Sequence, residues 1–150
     1  MTVENDITTE IDVVIDAMTV AGGFNFDYDN INEYRPSSKT YPNVKSDYND
    51  IEYEDTDDQM VDSYSGNLEA IFVVTVDDSA NVDVSLRKVL EDFQRQFESK
   101  HDTLQAKGWI VSDLESRKIE YTNIRKRPGI ITMTWNIKFR VKRSDPAVTI

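Results

Sequence analysis

The side chains best equipped for chemistry in this sequence are a single histidine, His101, and a crowd of carboxylates in "IEYEDTDDQMVDSY", residues 51–64. An imidazole catalyses in company, beside a nucleophile or a metal. No G-x-S-x-G elbow accompanies His101, and the chain has no cysteine. The simplest role of His101 is to meet the last carbonyls of a helix predicted to end near it. The acids invite a calcium reading, which fails on spacing. With Asp55 and Asp57 as first and third ligands, Gln59 falls fifth, Met60 stands where a glycine is required, and Gly66 where a bidentate glutamate is required. Glu54, Asp55, Asp57 and Asp58 therefore read as a solvated charged loop. Gly22-Gly23 lacks the lysine and spacing of a phosphate loop. Trp109 and Trp135 fall on strand faces that call for burial, so they read as core. The expectation is a protein that is not an enzyme and has no metal or cofactor.

The remaining chemistry is charge. Residues 1–78 hold 19 acids and 3 bases, a balance of −16; residues 79–150 hold 9 acids and 14 bases, a balance of +5, and the sum is −11. The bases concentrate at the end, where Lys138, Arg140 and Lys142 alternate along one strand face, joined by Arg125, Lys126, Arg127 and Arg143. Such a row could follow a phosphate backbone. The overall charge and the lack of an interleaved aromatic platform argue against that and for contact with protein. A chain negative in one half and positive in the other is self-complementary: copies can dock head to tail, and a ring results if the rotation closes. Acids of residues 47–62 would then meet the basic strand of a neighbour.

These side chains need elements to hold them. Ile7, Ile11, Val14, Ile15 and Met18 make one helical stripe, predicting a helix over residues 6–21 that Gly22-Gly23 ends. Residues 24–66 are rich in Asn, Asp, Ser and Tyr and are expected as an acidic loop or extension, with an edge strand around residues 44–53. "LEAIFVVTV", residues 68–76, is apolar on both faces and predicts a central strand covered on two sides. Leu86, Val89, Leu90, Phe93 and Phe97 predict a helix over residues 84–100, capped by Asp83 or Ser85, with Arg87, Lys88, Glu91, Asp92, Arg95 and Gln96 on its other faces. After the bend "HDTLQAKG" a strand runs from Trp109 toward Ile124. Arg127-Pro128-Gly129 turns the chain into the final strand, where Ile131, Met133, Trp135, Ile137, Phe139 and Val141 share one face.

The fold expected is α+β: about four mostly antiparallel strands with two helices packed on one face, plus a long acidic extended loop or hairpin, in one domain of 150 residues ending in a tail at 143–150. Without cysteine, the chain suits a reducing compartment or a particle assembled in one. It shows no basic leader segment and no run of 18 apolar residues, so neither secretion nor membrane insertion is expected.

The order of an N-terminal helix, an irregular stretch with "YPNV", the strand "NLEAIFVVTV", the helix "LRKVLEDFQRQFESK", the segment "DTLQAKGW" and the strand "IITMTWNIKFRVKR" resembles the tail terminator (tail completion) proteins of tailed bacteriophages. The resemblance covers about Ile7 to Lys142 and is one of order and character, without a diagnostic motif. It implies an α+β subunit of a hexameric ring in the virion, assembled in the host cytoplasm. Such a ring caps the tail tube, halts its polymerisation and joins the tail to the head or neck. Its partners would be other copies of the chain, the tail tube protein and the head-tail connector, with DNA passing through unbound and no membrane involved. On that reading Arg125, Lys126, Arg127, Lys138, Arg140 and Lys142 are interface candidates, while Asp55, Asp57, Asp58 and Asp62 face the lumen or a partner. Two other readings are an acidic DNA mimic that inhibits a DNA-processing enzyme, and an adaptor that adds a strand to a partner through its sheet edge.

Overall fold

In the computed structural model, residues 3–30, 41–49, 52–55, 63–77, 81–112, 114–121, 129–142 and 145–149 are described. Two strands of 14 residues form the centre: β4 (Ser63–Val76) and β7 (Gly129–Lys142). They pair antiparallel along their whole length, from Ser63 opposite Lys142 to Val76 opposite Gly129. On the outer edge of β4 lie β2 (Asn43–Tyr48) and then β3 (Glu52–Asp55). The outer edge of β7 carries β6 (Ser116–Tyr121), β5 (Ile110–Val111) and β8 (Asp145–Thr149) in succession. β1 (Asp29–Asn30) adds to β2 in the one parallel pairing among the described residues.

The α+β class and the mainly antiparallel pairing agree with the sequence reading, but the strand count does not. Eight segments stand where about four were expected. β2 answers the edge strand expected around residues 44–53; the extra segments are β1 and β3 from residues 24–66, β8 from the expected tail, and the division of the strand expected from Trp109 toward Ile124 into β5 and β6. β1, β3 and β8 carry no alternating apolar stripe; β3 and β8 add to the hydrogen-bonding edges of the two long strands and β1 to that of β2.

Alternation along the central strands is strict. Leu68, Ala70, Phe72, Val74 and Val76 of β4 and Ile131, Met133, Trp135, Ile137 and Phe139 of β7 are buried. They share one core with Ile7, Ile11, Val14, Ile15 and Met18 of α1 (Val3–Asp16) and with Leu86, Val89, Phe93, Phe97 and Leu104 of α2 (Val82–Ala106). On the opposite face Ile71, Val73 and Thr75 are only half-buried, as are Ile130, Thr132 and Thr134. The expectation that residues 68–76 are covered on both sides is therefore corrected. Ile71 lies opposite Thr134 and Val73 opposite Thr132. β-Branched side chains pack sideways across strands in this way without needing a second layer. Phe139 lies across Gly66, where an added Cβ would come within 2.5 Å of the ring, so only glycine lets this ring close the end of the core.

Both helices differ from expectation at their ends. α1 stops at Asp16, before the Gly pair, because the Val20 amide donates to Asp27 Oδ1 (2.7 Å) and Met18 carbonyl accepts the Tyr28 amide (3.3 Å). Asn81, not Asp83 or Ser85, caps α2, accepting from the Val84 amide at 3.2 Å. The helix continues through "HDTLQA", which contains no breaker, and Leu104 extends its apolar stripe. It ends where Gly108 takes φ 85°, with Gly108 amide on Gln105 carbonyl (2.9 Å) and Trp109 amide on Leu104 carbonyl (3.2 Å), a Schellman closure. His101 therefore lies within the helix, five residues short of its end.

Candidate interaction surface

Sequence separates the acidic and basic runs, but register brings them into the same rows of the sheet. Glu52 of β3 is opposite Asn67 of β4, which is opposite Lys138 of β7; Glu54, Ser65 and Arg140 form the next row but one. Asp55, Tyr64 and Val141 follow, and Ser63 opposite Lys142 completes the strip. With neighbouring strands about 4.8 Å apart, the acidic and basic backbones are about 10 Å apart, one intervening strand between them. The acidic and basic columns therefore lie side by side in the sheet with β4 between them.

Of the expected contact residues, Lys138 is fully described and is exposed. Arg140, Lys142 and Asp55 are placed by backbone register alone. Arg125, Lys126, Arg127, Asp57, Asp58 and Asp62 lie outside the described residues. Close to the strip, the Oδ1 atoms of Asn67 and Asn136 are shielded from water without a hydrogen-bond donor. Buried acceptors are normally satisfied, and each one left alone carries a desolvation cost.

Around the rest of the open sheet face, a β-branched stripe of Ile71, Val73, Thr75, Ile130, Thr132 and Thr134 is bordered by charges of both signs. Lys45 and Asp47 stand opposite Val73 and Ile71 on one edge. Lys118 and Glu120 stand opposite Thr132 and Ile130 on the other, 2.7 Å from each other. That contact raises the Lys118 pKa, first through the hydrogen bond to Glu120 and then through its charge. Tyr121 donates to Asp83 at the start of α2, which raises its pKa as well.

The polar groups that sequence reasoning misplaced lie on α2. Asp92 and Gln96, expected on the solvated faces, are buried at 0% and 3% exposure. Asp92 accepts the Asn25 amide at 3.0 and 3.2 Å, Asn25 Nδ2 at 2.9 Å and the Tyr28 hydroxyl at 2.7 Å. Burial, and then the bond and charge of Asp92, push the Tyr28 pKa far up. Arg95 donates to Gly23 carbonyl (2.5 Å) and stacks over Phe24, 4.5 Å from the ring centre. Gln96 Nε2 donates to Val14 carbonyl (2.8 Å), satisfying an orphan acceptor at the end of α1. The signal available in sequence was spacing: positions 82, 85, 86, 89, 92, 93, 96 and 97 form one continuous helical face, whatever their polarity.

A groove of about 420 Å³ includes His101, Glu98, Ser112 and Trp135 in its lining. His101 is half-exposed with Asp102 3.6 Å away, and Ser112 Oγ accepts the Asn136 amide (3.0 Å), tying that hydroxyl to the sheet. Among the described residues no cluster of three or more metal-ligating side chains occurs, and no helix is long and apolar enough to cross a membrane. Trp135 packs 4.6 Å from Phe97 between ring centres, and Trp109 is 5% exposed, both as core residues. Comparison with protein-family models gives no match, and comparison with curated proteins gives none either.

Proposed function

We propose that this protein is a structural assembly subunit of a bacteriophage tail, acting as a tail terminator. Six copies form a ring that caps the tail tube, stops its polymerisation and joins the tail to the head or neck, with DNA passing through. It is a virion component assembled in the host cytoplasm, and it needs no catalysis, cofactor or membrane. The observation that carries this reading is the strip in which acidic β3 and the basic end of β7 flank one strand. Columns of opposite charge set side by side along one sheet offer complementary charge to a neighbouring subunit. The two shielded amide oxygens beside it support a surface that a partner completes.

In this ring Lys138, Arg140 and Lys142, with Arg125, Lys126 and Arg127, face the acids of the next subunit or of the tube and neck proteins. Asp55, Asp57, Asp58 and Asp62 line the passage or meet a partner, where like charge lets DNA slide. The helices pack on one sheet face and leave the other, with the acidic extension, for assembly. Electron microscopy of the concentrated protein tests this: closed six-fold rings at low salt, thinned out at high salt, are expected. The Lys138→Glu, Arg140→Glu, Lys142→Glu variant should keep its fold and lose its rings, and rings undiminished in that variant would remove the charge contact. The net charge of −11 favours the second reading, a DNA mimic. Tight binding to a DNA-processing enzyme in the absence of rings would select it.

A further inference from the structure

All six residues of β6, from Ser116 to Tyr121, are exposed, and among the described residues it pairs with β7 alone. No described strand pairs with its other edge, which makes that edge a template for another strand. Edge strands are commonly protected by charge of one sign. Here both signs occur about a central apolar residue, with Arg117 and Lys118 before Ile119 and Glu120 and Tyr121 after it.

We propose that β6 pairs with β6 of a second copy of this chain, antiparallel across a two-fold axis through Ile119, joining two sheets into one. In that register Ile119 meets its own symmetry mate, Lys118 lies opposite Glu120 of the other copy, and Arg117 lies opposite Tyr121. Residues directly opposite in an antiparallel pair point to the same face. Arg117, Ile119 and Tyr121 share the helix side of the sheet with Met133, Ile131 and Gly129, whereas Lys118 and Glu120 share the open side with Thr132 and Ile130. Both faces therefore match, with the helix layers of the two copies on the same side.

The register is selected by charge. Sliding by two residues in one direction puts Lys118 on Lys118, and in the other puts Glu120 on Glu120. Counting pairs formed within residues 116–121, only the register centred on Ile119, among those that match the faces, gives two opposite-charge pairs. The existing Lys118 to Glu120 contact joins exposed side chains, so exchanging it for a cross-strand partner costs little. Ile119 and Tyr121, 40% and 38% exposed, gain cover, and the Tyr121 ring, held by its bond to Asp83, offers its face to Arg117 of the other copy. This edge lies apart from the charged strip, so the two-fold pairing does not depend on the ring.

The absence of native cysteine makes the test direct. Ile119→Cys should give a disulfide-linked dimer under mild oxidation, because opposite strand positions lie within disulfide reach. Glu120→Cys should cross-link far more slowly, its symmetry mate being offset along the strand. Light scattering of the unmodified protein should show pairs, Lys118→Glu should raise the dimer dissociation constant about tenfold or more, and adding Glu120→Lys should restore it. Equal cross-linking of the two cysteine variants, a cross-linked ladder beyond two subunits, or a wild-type monomer would each overturn the proposal. Rings without Ile119→Cys dimers would keep the ring and discard the two-fold; dimers without rings would do the reverse.

Discussion

The segments 23–28 and 116–121 are both short and attached to larger elements, yet they use their hydrogen-bonding capacity in opposite ways. The first is bound to α2: Asp92 takes three donor groups from Asn25 and Tyr28, and Arg95 holds Gly23 and Phe24. Among the described residues the second pairs with β7, bonds to Asp83 through Tyr121, and holds its Lys118 and Glu120 charges at the exposed surface. The difference separates polar side chains that serve folding from exposed ones that the proposed pairing would use. A buried carboxylate with every donor in place fixes one conformation, while exposed ion pairs contribute little to stability and can be exchanged.

The largest expected effect breaks the first segment. Asp92→Ala leaves the Tyr28 hydroxyl and the Asn25 groups without their acceptor and should cost about 3 kcal/mol in chemical denaturation. Gln96→Ala removes the donor from Val14 carbonyl at the end of α1 and should cost about 1 to 2 kcal/mol, with α1 losing hydrogen-exchange protection first.

Alkaline pH gives a third test. Tyr28 is raised from its ordinary 10.0 by burial and Asp92, and Tyr48 from the same value by burial and the Asp12 charge. With folded pKa values above the unfolded one, the stability these hydroxyls carry is whole below pH 10 and is lost as pH climbs past it. Each should contribute a slope of about 1.4 kcal/mol per pH unit there. Tyr28→Phe should lower stability at neutral pH, by loss of the bond to Asp92, and flatten the alkaline slope; an unchanged slope would show that this hydroxyl does not stay protonated in the fold. The smallest effect sharpens the contrast: Lys118→Ala with Glu120→Ala should leave the unfolding free energy almost unchanged while weakening subunit pairing.

Legibility in the sequence follows the same division. The stripes of α1 and α2 and the alternation of β7 could be read because burial imposes a period on residue type. Asp92 and Gln96 were misread because residue type was allowed to outvote their place in that period. β3, β6 and β8 could not be read as separate strands. "EYED" and "SRKIEY" carry no apolar alternation, and "DPAVT" includes a proline that an edge position tolerates. The charge runs were visible, but the register that puts Glu52 and Lys138 in one row joins positions far apart in the chain and cannot be derived from either run alone.

The most direct test of the assembly reading is to image the purified protein at high concentration and low salt and count the subunits around each particle. Closed rings with six-fold symmetry, scarce in high salt and absent from the Lys138→Glu, Arg140→Glu, Lys142→Glu variant, are the predicted result. Particles with no rotational symmetry at any concentration would contradict it.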